Sequence, residues 1–102
     1  MKCKITRNAA KKIQEIMAQE DPQDKGKMLR VFITHTHGTH AHYGLDLDTP
    51  GENDEIVHTD KDIDILLDKT QELLDGVKID YLYLPEEGFV ITNPSKGNHG
   101  DH

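Results

Sequence analysis

The amino-acid sequence predicts an α+β fold that is predominantly β. Three observations carry this. One segment near the N-terminus repeats apolar residues every three or four positions. Several later segments alternate apolar and polar residues instead. The connections between them are short and rich in glycine, proline and aspartate, so much of the strand pairing is antiparallel. One long N-terminal helix, several short strands and one short helix result.

In "ITRNAAKKIQEIMAQE", Thr6 is placed as an N-cap with Ile5 as a hydrophobic lead-in. Ala9, Ala10, Ile13, Ile16 and Met17 share one helical face; Lys11, Lys12, Gln14 and Glu15 fall on the other. Pro22 and Gly26 end this helix in a polar loop. "MLRVFITH" is a buried strand, with Leu29, Val31 and Ile33 facing one way and Arg30, Phe32 and Thr34 the other. "AHYGLDLDTP" is half exposed: Tyr43, Leu45 and Leu47 oppose Asp46 and Asp48. "DEIVHTD" and "DIDILLD" are short strands, the second alternating through Ile63, Ile65 and Leu67. Asp62, Asp64 and Asp68 face water, and His58 is an ordinary strand histidine.

"KTQELLDG" is a short helical turn that packs Leu73 and Leu74 and stops at Gly76. "VKIDYLYLP" alternates from Val77 through Ile79 and Tyr81 to Tyr83, and "GFVITNP" closes the fold at Asn93 and Pro94. The core expected from this pattern is Ile13, Ile16, Leu29, Val31, Ile33, Leu45, Ile65, Leu67, Leu74, Ile79, Phe89 and Ile91. The polar tail 95–102 is expected to be mobile.

At 102 residues, a single domain spanning 1–102 is expected. The net charge of −7 with neutral histidines argues against nucleic acid and against an anionic membrane surface. No stretch is apolar enough to span a bilayer, and the start lacks the apolar middle of a signal peptide, so a cytoplasmic protein is expected. Cys3 is the only cysteine. It can form neither an internal disulfide nor a multi-thiolate metal site within one chain.

The chemistry lies in the histidines. "THTHGTHAH" carries His35, His37, His40 and His42, and the closing "HGDH" carries His99, Asp101 and His102. A hairpin with a two-residue Gly38-Thr39 connection sets His37 opposite His40 and His35 opposite His42. All four imidazoles then share one ribbon face, with opposed Cβ atoms about 4.5–5.5 Å apart. Imidazoles so placed suit a divalent ion such as zinc, copper, nickel or ferrous iron. The same alternation also makes an ordinary polar strand face. The tail's two imidazoles and one carboxylate form a familiar ligand set.

Catalytic constellations are lacking. The one serine, Ser95, stands in no nucleophile elbow, Cys3 has no activating base beside it, and no phosphate-cradling glycine pattern occurs. An enzyme is not expected.

The order of segments resembles the A-type iron–sulfur carriers, the HesB-like or IscA-like family, nearly end to end. "ITRNAAKKIQEI" is similar to the family's opening helix and "LRVFI" to its "LRV" strand. "HYGLDLD" stands where the family has a tyrosine and a strand. "DKTQELLDGVKIDYL" resembles the stretch ending "L.G..IDY", with Thr70 in place of a serine, and "GFVITNP" resembles "GF...NP". The resemblance implies mixed and antiparallel strands in a sandwich or pseudo-barrel. It also implies a homo-oligomer, a dimer, that meets iron–sulfur assembly or acceptor proteins.

The family presents one cysteine in a loop after the "LRV" strand and two near its end. Counted back from Tyr43, the first position falls at Gly38. The tail is one residue short of the usual spacing, and His99 and Asp101 most naturally take the other two. The family brings these regions together, often across a dimer. A conventional iron–sulfur cluster is therefore not expected; a divalent ion, iron or zinc, held by His35, His37, His40, His42, His99, Asp101 and His102 is. The alternative is a scaffold or interaction domain that keeps the fold without metal chemistry.

Overall fold

A computed structural model describes residues 1–19, 26–38 and 40–94, His40 by its backbone. Among these described residues, seven strands form two sheets with one α-helix. The elements are β1 (Cys3–Ile5), α1 (Arg7–Ala18), β2 (Met28–His37), β3 (His40–Asp48), β4 (Asp54–His58), β5 (Asp64–Asp68), a 3-10 turn (Glu72–Leu74), β6 (Val77–Leu82) and β7 (Gly88–Thr92). The first sheet has the order β3-β2-β5-β4 and the second β1-β6-β7. Three pairings are antiparallel and two, β1 with β6 and β2 with β5, are parallel. This is the predicted mostly-β class, arranged as a sandwich.

Thr6 begins α1 as expected. Its Oγ1 accepts from the Ala9 N–H at 3.2 Å and donates to Asp80 Oδ1 at 2.7 Å. One hydroxyl thus caps the helix and ties it to β6, supplying a partner for an otherwise orphaned N–H. Ala9, Ala10 and Ile13 bury against the sheets, whereas Ile16, expected in the core, is 39% exposed. At about 100° per residue, Ile16 lies at the margin of the stripe set by those three, near the open end of the helix.

Ile5, Ile13, Val31, Ile65, Leu67, Leu74, Val77 and Ile79 close the space between the sheets. Ile33, Leu45, Phe89 and Ile91 pack at its edge, half buried. Alternation fails in β5, where Leu66 is as buried as Ile65 and Leu67. Leu66 pairs with Arg30 on one side and Ile56 on the other, so flanking side chains cover it on the outer face. Tyr83, expected to continue the β6 alternation, lies beyond the strand and is exposed.

On that outer face Arg30 forms a fork with Asp54, at 2.5 and 2.6 Å to its two carboxylate oxygens. The hydrogen bonds from Arg30 hold the Asp54 carboxyl below the usual carboxylate range, assisted by the Gly51 N–H.

Asn93 is wholly buried, and its Nδ2 donates to the carbonyls of Leu73 and Asp75, both at 2.8 Å. The Leu73 carbonyl also accepts from the Tyr43 hydroxyl at 2.9 Å. One carbonyl on the 3-10 turn therefore fastens both β3 and the end of β7.

Candidate metal centre

The histidine ribbon forms as the spacing requires. His37 pairs with His40 and His35 with His42, around a turn that starts at Gly38. Gly38 has φ +58°, in the left-handed region that glycine enters without a Cβ penalty.

One feature of the ribbon has no signature in the sequence. Ile33 pairs with Tyr43 and His35 with His42, so Thr34 is an extra residue in β2. This bulge reverses the side-chain parity of the strand. Without it, His35 and His37 would follow Leu29, Val31 and Ile33 onto the core face. With it, Thr36 and the buried Ala41 take the core side, and His35, His37 and His42 are exposed together. The Thr34 hydroxyl steadies the irregularity by donating to the His42 carbonyl at 3.2 Å.

The His35 and His37 rings meet edge to face, 4.4 Å between centroids, with their Nε2 atoms 2.9 Å apart. His35 and His42 rings are 6.0 Å apart and tilted. One Nε2–H donates to the other ring's Nε2, and a third ring stands beside the pair. Among the described residues, no group of three or more His, Cys, Asp or Glu side chains is already gathered tightly enough to hold an ion. His99, Asp101 and His102 lie outside the described residues, as does the rest of the tail 95–102.

Other reactive groups take structural parts. His58 Nδ1 lies 2.6 Å from Asp64 Oδ1 across β4 and β5, a surface pair. Cys3 and His58 line one groove of about 510 Å³ between the edges of β1 and β4. Burial pushes the Cys3 thiol up to about 12, so it stays protonated and is a poor ligand or nucleophile. No helix among the described residues is long and apolar enough to cross a membrane.

No family model matches the chain. Curated relatives do. The iron–sulfur cluster insertion protein ErpA 2 of Methylococcus capsulatus is 31% identical over 94 residues, which cover 90% of this chain and 71% of the relative. The iron–sulfur cluster insertion protein ErpA of Marinobacter nauticus is 33% identical over 93 residues, 89% of this chain and 83% of the relative.

The chain belongs to the A-type iron–sulfur carrier family.

The fold agrees. Escherichia coli SufA, involved in the biosynthesis of iron–sulfur clusters, superposes with a TM-score of 0.69 at 22% identity, covering 90% of this chain and 80% of SufA. This A-type carrier homologue has a single cysteine, Cys3 on β1, and four histidines on the β2–β3 ribbon.

Sequence pattern does not single out the two anchoring residues. Alternation makes Tyr43 a strand residue and Asn93 a turn residue before a proline. The available signal that both positions matter is that their segments, "HYGLDLD" and "GFVITNP", are among those that resemble the family.

Proposed function

We propose that this chain is an atypical A-type carrier in iron–sulfur cluster biosynthesis, in which imidazoles replace the thiolates and bind a divalent transition-metal ion. The observation that carries the reading is the Nε2 pair of His35 and His37, 2.9 Å apart on a ribbon face that the Thr34 bulge turns outward. Neutral imidazoles are good ligands for such ions, and an ion that displaces the proton shared by the hydrogen-bonded pair would take both nitrogens.

His40 holds the register position opposite His37, and His42 that opposite His35. The tail supplies His99, Asp101 and His102 as further donors. Support for their arrival comes from the Leu73 carbonyl, which fastens Tyr43 at the root of the ribbon and Asn93 at the root of the tail. His99 is six residues beyond Asn93, a reach of up to about 20 Å when extended. The cargo is then an ion, iron or zinc by the family's context, and not an all-thiolate cluster. Iron–sulfur assembly or acceptor proteins are its partners, a homodimer its assembly, and the cytoplasm its place.

A second reading has its own support. The ligands are not gathered in threes among the described residues, as in a scaffold or interaction domain whose histidines are only a solvated face. Metal analysis of protein purified without a nickel column separates the two. Stoichiometric metal, lost in a His37→Ala/His40→Ala variant, is the expected result. Metal at background level in both proteins would leave the scaffold.

A further inference from the structure

We infer that β4 is an interface between two copies of this chain, which pair antiparallel about Ile56 and join their sheets edge to edge. The inference rests on the homodimer proposed above and names the strand that makes it.

β4 ends the sheet order β3-β2-β5-β4, so only one side of its backbone pairs with β5. Two hydrogen bonds show which residues use that side. The Lys69 N–H donates to the Asn53 carbonyl at 2.8 Å, and the Thr59 N–H to the Ile63 carbonyl at 3.3 Å. Bonded pairs alternate along an antiparallel ladder. In the observed register Glu55 and Val57 therefore bond to β5, while Asp54, Ile56 and His58 turn their N–H and C=O groups outward. The Asp54 N–H is taken by the Gly51 carbonyl at 3.2 Å. Among the described residues, the outward groups of Ile56 and His58 are left for a further strand.

Edge strands are commonly guarded by lysine, proline, a bulge or a free charge. β4 reads "DEIVH" and pairs with β5 without a register shift. Its charged groups are engaged within the chain: Asp54 by Arg30, Glu55 by the Met1 ammonium and His58 by Asp64. At its centre Ile56 is 43% exposed, beside the wholly buried Leu66.

The sequence of the strand selects a second copy of itself. Outward groups meet outward groups only when the two-fold axis passes through a residue, not between residues. Ile56 is the one centre that overlaps all of Asp54–His58. It lays Ile56 on Ile56 and Asp54 against His58, so no like charges are opposed, whereas a Glu55 centre would oppose two carboxylates. Backbone bonds then form in both directions at Ile56, and from each His58 N–H to the Asp54 carbonyl of the second copy. The two β3 strands end at opposite edges of the joined sheet, roughly 34 Å apart at about 4.8 Å per strand. Each chain must then furnish its own metal ligands.

The test is sedimentation of the whole protein over a hundredfold range of concentration, together with backbone amide hydrogen exchange. A reversible dimer is expected, because one strand pair makes a small interface. Ile56→Pro removes an outward N–H and no bond to β5, and Ile56→Lys opposes two ammonium groups. Each should raise the dimer dissociation constant at least tenfold, with an unchanged circular dichroism spectrum and unchanged metal content per chain. The Glu55 and Val57 amides should be protected at every concentration, and the Ile56 and His58 amides only in the dimer. A dimer that survives both substitutions, or whose Ile56 and His58 amides exchange freely, overturns the β4 interface and leaves the homodimer. Metal lost together with the dimer overturns it too, since the ribbons would then have to meet. A monomer at every concentration overturns both interface and homodimer, while metal bound by that monomer keeps the histidine reading.

Discussion

The Leu73 carbonyl accepts two side-chain donors, the Tyr43 hydroxyl and Asn93 Nδ2. This predicts a specific non-additivity. Tyr43→Phe removes one hydrogen bond, worth about 0.5–1.5 kcal/mol, and Asn93→Ala removes two, about 1–3 kcal/mol together. In either single variant the Leu73 carbonyl keeps a donor. In the double variant it loses both, and the desolvation penalty of an unsatisfied carbonyl, about 1–3 kcal/mol when buried, is added. Both bonds are only partly buried, so the lower end, about 1 kcal/mol of coupling, is the expectation. Urea denaturation of the four proteins measures it, with an unchanged m-value as the control. In a chain of this length each kcal/mol moves the melting temperature by about 4–8 °C, so a thermal scan gives an independent reading. Additivity within about 0.3–0.5 kcal/mol would refute the shared anchor.

Asp54 provides a pH prediction. Its carboxyl titrates below the usual range because of Arg30, so its contribution is present above the unfolded value of about 3.9 and is lost as pH falls through the folded one. The native chain should lose stability more steeply below about pH 5 than Asp54→Asn does, as acid titrations followed by circular dichroism will show. Arg30→Met should cost about 2–4 kcal/mol at pH 7 in chemical denaturation, because it leaves a carboxylate that is only 5% exposed without its cation. At Gly44 a Cβ would come within 2.6 Å of the Phe32 ring tip. The ring must swing away, so Gly44→Ala should destabilise by about 1 kcal/mol, and the penalty should vanish in a Phe32→Ala background. Cys3 should react with iodoacetamide at pH 8 at least tenfold more slowly in the folded protein than in urea, since its thiol is pushed up to about 12.

Much of this was legible in the sequence. Thr6 is a cap because a threonine precedes a helical repeat, and the ribbon register follows from a glycine placed between two histidine pairs. The failures share a cause. Ile16 satisfies the helical period, yet burial also depends on how far the opposing sheet extends. Leu66 breaks an alternation because β5 is flanked on both sides, and flanking is a property of topology. Asn93 reads as a turn residue beside a proline, while its burial comes from two carbonyls some twenty residues earlier in the chain. The bulge at Thr34 was invisible for a deeper reason. A threonine between an isoleucine and a histidine suits a regular strand equally well, and only pairing with β3 shows that one residue too many is present.

That extra residue has an evolutionary consequence. Deleting Thr34 would join Ile33 to His35 in regular alternation, so the pairs His35–His42, Thr36–Ala41 and His37–His40 and the faces they occupy would all be kept. The bulge thus absorbs one surplus residue without moving the imidazoles. A ribbon of this kind tolerates the insertion or loss of one codon at its root, because pairing with β3 and not the count of residues in β2 fixes the outward face. Among related chains, this strand should vary by one residue in length at the bulge while the side chains beyond it keep their faces.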